Sequence, residues 1–198
     1  LSLSSLNVSG NNLEFDDLEP NVQIAGINYA NQRLVGAAKN DTIVHGSDFT
    51  ILLEVGGSAN AYQWSRANDV GTGPVSGATS NSYTIGGISY ETMGVFTLSV
   101  TNSKVPGLTL TSRKQRVLAT ADLTFTALDL SNELFTEGEG YALRVTAPGK
   151  PYDTIQAVRG SAAGFVFEDL ILGDYLIAVR ADDLVEFLPT YSPSPVSS

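Results

Sequence analysis

The sequence predicts an all-β protein: two β-sandwich domains in series, 22–119 and 120–198, behind a short N-terminal segment, 1–21. Three observations point there. Gly is plentiful at 19 residues, Thr, Ser, Val, Leu and Ile recur in short runs, and charged residues make up only 16%. That mixture suits many strands and many turns. Apolar residues alternate with polar ones over stretches such as Phe96-Thr97-Leu98-Ser99-Val100 and Asp122-Leu123-Thr124-Phe125-Thr126-Ala127-Leu128, a period of two rather than 3.6. Charge also changes sign near residue 119: 22–119 has seven Lys or Arg against five acids, and 120–198 has four against twelve. Such a shift marks a domain boundary, and 198 residues suffice for two cores.

Residues 1–21 hold Leu3-Ser4-Ser5-Leu6-Asn7-Val8-Ser9-Gly10-Asn11-Asn12-Leu13, which fits L-x-x-L-x-L-x-x-N-x-L. The segment resembles the last rung of a leucine-rich repeat. The resemblance implies inward apolar positions and an Asn that satisfies backbone groups across the turn. One rung cannot bury its own face, so earlier rungs are expected before Leu1. Leu1 opens inside a repeat and not on a charged n-region, so no signal peptide is expected and the chain reads as a mature piece or an expressed fragment. Asp16 to Pro20 forms the exit turn, with Pro20 stopping any continuation.

In 22–119 the expected strands are Val22 to Tyr29, Thr42 to Val44, Phe49 to Val55, Tyr62 to Arg66, Ser82 to Ile85, Val95 to Val100 and Leu108 to Val117. Gly56-Gly57 ends the third, and 68–74, with Gly71 and Gly73-Pro74, reads as a loop. Trp64, followed some thirty residues later by Gly94-Val95-Phe96-Thr97-Leu98, is how an immunoglobulin-like sandwich writes its core. The segment resembles the immunoglobulin-like modules of large Bacteroidetes-type surface proteins through Gly57, Tyr62-Gln63-Trp64, Ile85, Ile88, Gly94, Phe96, Val100-Thr101-Asn102 and Val105-Pro106-Gly107-Leu108-Thr109-Leu110. The resemblance puts Leu53 and Leu98 where such domains often carry cysteines, Phe96 where a corner Tyr is usual, and Thr92 where an acid is usual. The chain has no Cys, so packing alone must hold the sheets.

In 120–198 an alternating strand runs over Asp122 to Leu128, then Tyr141 to Thr146 and Thr154 to Val158, with Pro148-Gly149 as a turn. Gly164-Phe165-Val166-Phe167-Glu168-Asp169-Leu170-Ile171-Leu172-Gly173-Asp174-Tyr175-Leu176-Ile177-Ala178-Val179 resembles the signature of carboxypeptidase-regulatory-like, prealbumin-type sandwiches. Alternation sends Phe165, Phe167, Tyr175, Ile177 and Val179 to one side, with Gly173 turning tightly between two strands. Pro189, Pro193 and Pro195 read as a linker or frayed end.

Composition and motif exclude several chemistries. A net charge of −10 argues against a nucleic-acid surface, and no run reaches the apolar length of a membrane span. Without Cys there is neither thiol catalysis nor a zinc-thiolate site. His45, the single histidine, sits in a turn with no Gly-x-Ser-x-Gly nucleophile elbow in the chain, so it reads as a solvated loop residue. Glu137 and Glu139 flank Gly138 in a turn without the cleft a glycosidase needs. No catalytic residue and no cofactor is expected.

The acidic pairs are the metal candidates. Asp16, Asp17 and Glu19, and Asp182, Asp183 and Glu186, each offer part of a calcium shell, set against the default of a solubilising acidic face. Tyr29, Tyr62, Tyr83, Tyr90 and Tyr191 are candidates for sugar stacking, whereas Trp64 is expected inside. Lys150 and Asn132 are poorly placed for an isopeptide crosslink. Asp41-Thr42-Ile43 and Asp153-Thr154-Ile155 resemble a short bacterial O-glycan acceptor, and Asn7-Val8-Ser9 and Asn40-Asp41-Thr42 are sequons only in a eukaryotic secretory setting.

The resemblances imply a non-catalytic structural or adhesive role at the surface of a bacterial cell. The chain would be a monomer that meets a protein or glycan ligand, with no membrane insertion of its own. The alternative is a carbohydrate-binding accessory region of a secreted glycan-degrading enzyme.

Overall fold

The computed structural model describes residues 3–125, 141–147, 156–159, 165–181 and 188–190. The chain divides into two compact units, Leu1–Leu118 and Ala119–Ser198. Secondary structure is nearly all β.

The first unit opens on a coil, not on a sandwich strand. Strand β1, Leu6–Asn7, pairs in parallel with β2, Ile27–Asn28: Leu6 faces Ile27 and Asn7 faces Asn28, an offset of 21 residues. A one-turn helix α1, Phe15–Leu18, and a 3-10 turn, Glu19–Asn21, lie between them. The offset aligns Leu3-x-x-Leu6-x-Val8-x-x-Asn11-x-Leu13 with Ile24-x-x-Ile27-x-Tyr29-x-x-Gln32-x-Leu34. Both copies are built with the same devices. Asn7 Oδ1 accepts from the Ser9 amide and Asn28 Oδ1 from the Ala30 amide, each at 3.1 Å. Gly10 and Asn31, again 21 apart, both take positive φ, 72° and 57°. Asn11 donates its side-chain amide to the Val8 carbonyl at 3.1 Å, while Gln32 donates to the carbonyls of Val8 at 2.8 Å and Tyr29 at 2.9 Å.

The strand expected over Val22 to Tyr29 is therefore corrected. Only Ile27–Asn28 is extended, and its partner is β1. The physical reason is the spacing: apolar residues from Ile24 fall at i, i+3 and i+5, which is not an alternation.

The sandwich follows. Its strands are β3 (Lys39–Val44), β4 (Phe49–Leu52), β5 (Asn60–Ala67), β6 (Thr72–Pro74), β7 (Ser82–Ile85), β8 (Gly94–Asn102), β9 (Thr109–Thr111) and the start of β10 (Gln115–Phe125). One sheet runs β6, β5, β8, with β9 and Gln115–Val117 of β10 on the far side of β8, and β3 along β10. The other is the antiparallel pair β4 and β7. Thr72–Pro74, expected as loop, pairs with Ser65–Ala67 as a short edge strand. There the Pro costs no ladder bond toward a further neighbour.

Alternation explains the core. In β8, Phe96, Leu98 and Val100 are fully buried while Thr97 and Ser99 are half-exposed. Trp64 on β5 stands opposite Leu98, has 0% exposure, and donates its indole N–H to the Ser80 carbonyl at 3.0 Å. Ile51, Leu53, Val55 and Ile85 are buried on the opposing side. Two sheets over an inward Trp, with β4 and β7 in one and β5, β8 and β9 in the other, make an immunoglobulin-like sandwich. Leu53 and Leu98 are both buried and close its interior without sulfur.

In the second unit β10 pairs with β13 (Phe165–Ile171) through Thr120–Phe125, with a register shift between Ala121 and Leu123. The Asp169 amide donates to Asp122 Oδ1 at 3.0 Å, and Asp169 itself takes φ 54°. A second sheet is β12 (Gln156–Arg159), β11 (Tyr141–Thr146), β14 (Leu176–Ala181) and β15 (Leu188–Thr190), all antiparallel. Phe165, Phe167 and Leu170 are buried against Leu123, Tyr175 and Ile177. Two expectations are corrected. Gly173 does not close a hairpin, because β13 and β14 lie in different sheets; the chain crosses there, and so Tyr175 and Ile177 meet the phenylalanines. Pro189 is not linker but sits opposite Ala178 in the terminal strand of its sheet, a place that tolerates Pro.

Candidate functional site

The densest polar constellation joins the N-terminal coil to the sandwich, and it is built on two glycines. Strand β4 runs out into Gly56-Gly57, over which α1 sits. A Cβ on Gly56 would collide with the Asp16 carboxylate, and one on Gly57 would lie 2.6 Å from Phe15 Cβ, where φ is already 130°. The bare backbone lets Phe15 (0% exposed) and Leu18 (1%) sink fully. Glu14, just before the helix, takes the Gly56 amide on Oε2 at 2.6 Å, and the Glu14 amide donates to Asp17 Oδ2 at 3.1 Å.

Glu19 closes the junction. Its Oε1 accepts from the Ser58 amide at 2.6 Å and the Asn102 side-chain amide at 2.8 Å. Its Oε2 accepts from the Ser58 hydroxyl at 2.6 Å and from Lys104 Nζ at 3.3 Å, the latter an ion pair. The Ser58 hydroxyl and amide, ahead of Asn102 and Lys104, hold the Glu19 carboxyl down to about 2 from 4.5. Asn102, 4% exposed at the end of β8, also donates to Asn60 Oδ1 at 2.7 Å and accepts from the Lys104 amide at 2.8 Å. Nearby, the Tyr29 hydroxyl of the second coil turn donates to the Pro106 carbonyl at 2.8 Å.

This arrangement fastens one piece to another. Every oxygen of Glu19 is engaged by donors from the sandwich, so the carboxylate anchors and carries no proton to or from a ligand. Of the first calcium group, Asp17 caps its own helix, Asp16 rests against Gly56 and Glu19 is in the clasp. Among the described residues no group of three or more His, Asp or Glu gathers as a metal set.

Asp182, Asp183, Glu186, Glu137, Glu139, Asn132, Lys150, Asp153, Thr154, Ile155 and Tyr191 lie outside the described residues. The other tyrosines take separate duties: Tyr62 accepts from the Asn60 amide at 3.3 Å, the Tyr83 ring lies 6.0 Å from that of Phe96, and Tyr90 donates to Asp69 at 3.2 Å. His45 is half-exposed. It adds a minor pull on Glu91, whose carboxyl is held below its usual range first by its own amide and then by the Ser89 hydroxyl.

Sequence reasoning missed Glu14, Ser58, Asn60 and Lys104 as members of the clasp. It found Gly57 and Asn102 only as marks of a resemblance. No helix among the described residues is long and apolar enough to cross a membrane.

No family model and no curated protein matches the chain. Among solved structures it is similar to immunoglobulin domains 1–5 of Sidekick-1, with 14% identity, TM-score 0.36, and coverage of 78% of this chain and 34% of that one. It is also similar to three N-terminal domains of the highly immunogenic outer capsid protein of bacteriophage RB49 (12%, TM-score 0.35, 76% and 63%). A third is the IG1+IG2 pair of DIP-gamma (16%, TM-score 0.34, 80% and 93%). The chain thus spans about a third of the first and under two thirds of the second. The fold stands on its own strand pairing rather than on these likenesses.

Proposed function

We propose that the chain is a non-catalytic structural and adhesive part of an exported bacterial surface protein. In this reading 3–34 is the end of a leucine-rich array, the immunoglobulin-like sandwich follows it to about residue 119, and 120–198 is a prealbumin-like sandwich. The single observation that carries the reading is the clasp. Glu19 draws on donors from Ser58, Asn102 and Lys104, while Phe15 and Leu18 are sunk beside Gly56-Gly57. A coil fixed to a sandwich by buried apolar side chains and saturated hydrogen bonds is presented at a set angle, as a recognition surface held away from a cell requires. The parallel pair with its 21-residue offset supports the array reading, since a period of 20–29 residues belongs to leucine-rich coils.

The test is adhesion itself. Beads coated with the chain are passed under flow over bacterial and host-cell layers. Retention that is lost with soluble competitor chain supports the proposal, and retention no better than albumin-coated beads contradicts it.

A further inference from the structure

Strand alternation gives the sheet of β5, β8 and β9 an outer face rich in Ser and Thr, with Ala61, Gln63, Ala67 and Val95 between them. Trp64, Leu98 and Leu110 point inward. Outward, Gln63 stands opposite Ser99 and Ser99 opposite Thr111; Ala61 stands opposite Thr101 and Thr101 opposite Thr109; Ser65 stands opposite Thr97. All of these are half-exposed or exposed, and none is acidic or aromatic. Neighbours in such a grid lie about 5 Å apart across strands and about 7 Å apart along them.

Cations line one border. At the irregular step from β9 to β10, Arg113 and Lys114 are both exposed. The Arg113 amide donates to the Val35 carbonyl at 2.9 Å and the Lys39 amide to the Lys114 carbonyl at 3.1 Å, which brings exposed Arg33 and Lys39 alongside. The one acid on β3, Asp41, is half-buried. Four of the chain's eleven Lys and Arg thus share one edge of a protein whose net charge is −10.

We propose that this face binds an extended acidic polysaccharide, with sugar hydroxyls on the Ser/Thr grid and carboxylates along the Arg33–Lys39–Arg113–Lys114 border. The Ser and Thr hydroxyls of the grid each offer a donor and acceptors to a polymer of hydroxyls, and exposed Arg and Lys make charge-assisted hydrogen bonds to carboxylates. An acidic polypeptide would look for apolar pockets or a free strand edge, and single-stranded nucleic acid for aromatic platforms. The outward positions of β5, β8 and β9 hold no aromatic residue, and their apolar ones, Ala61, Ala67 and Val95, are small and form no large apolar surface. The inference gives the adhesive reading a ligand class and rests on that reading; binding is measured apart from cell attachment, so either fails alone.

The experiment is saturation binding to immobilised polygalacturonate, with its methyl ester and polyglutamate as comparators, at low and physiological ionic strength. Wild-type chain is expected to bind polygalacturonate, to bind the ester and polyglutamate far less, and to weaken with salt. The double variant Arg113→Glu, Lys114→Glu and the face variants Thr97→Glu and Thr109→Glu are each expected to bind roughly tenfold or more weakly. Melting curves establish that each variant is folded, and Thr109, which is exposed, serves if Thr97→Glu is not. Absence of wild-type binding overturns the proposal. So does equal binding to polyglutamate, or a loss on charge reversal at the border with none on either face variant, which would leave only an unspecific polyanion edge.

Discussion

The side-chain amide of Asn102 donates at 2.8 Å to the carboxylate of Glu19, which lies 83 residues earlier in the chain. Around this bond the coil and the sandwich of the first unit meet. Asn102 is 4% exposed and also serves Asn60 and Lys104, so its removal leaves partly buried partners unmet. Asn102→Ala is expected to destabilise the first unit by about 1–3 kcal/mol, read by denaturant unfolding. Faster exchange of the Ser58 amide, which bonds Glu19, should accompany it.

The clasp carries a pH signature. Glu19 is held down to about 2 against 4.5, so its folded form binds a proton less readily than the unfolded chain does. The stability it contributes is whole above the unfolded value and drains away as pH falls from about 4.5 toward 2. Melting temperature followed across that window should fall less steeply in Glu19→Gln than in wild type. Parallel curves would show that Glu19 is not the titrating anchor.

The paired glycines make a steric prediction. A methyl at Gly57 meets Phe15 Cβ, which is fixed to helix α1, so the helix must shift; one at Gly56 meets only the exposed Asp16 carboxylate, which can rotate aside. Gly57→Ala is expected to cost about 1–3 kcal/mol, with backbone strain at φ 130° added, and Gly56→Ala less. A surface control, Gly71→Ala, meets nothing within 4 Å and should be near neutral. Chemical denaturation of the three variants checks the order.

Much of the sandwich was legible because its strands are half-buried. Alternation in Phe96, Leu98 and Val100 gives β8, and the strand expected over Ser82 to Ile85 is β7 to the residue. Trp64 and Leu98 fall inside as their pattern required. The second coil turn was not legible by alternation, since a two-residue strand has no period. Only sliding the chain against itself by 21 residues sets Ile27 on Leu6 and Gln32 on Asn11. The clasp was hidden for another reason. Glu14 reaches 42 residues to Gly56 and Glu19 reaches 39 to Ser58, and no local pattern marks such pairs. Gly56-Gly57 read as a strand ending because the helix that needs their bare backbone lies elsewhere in the sequence.

The sulfur-free core sets a further expectation. Leu98 is 0% exposed opposite Trp64, in the place where the family resemblance puts a cysteine. Leu98→Ala should cost about 2–5 kcal/mol through lost burial and the cavity left behind. Tryptophan fluorescence during unfolding reports it, because the indole should redden at lower denaturant.

The account turns on residues 3–34 and the sandwich moving as one body. Residual dipolar couplings of backbone amides measure this most directly. One alignment tensor fitting both 3–34 and 35–118 is the predicted result; two tensors of different orientation or magnitude would contradict it.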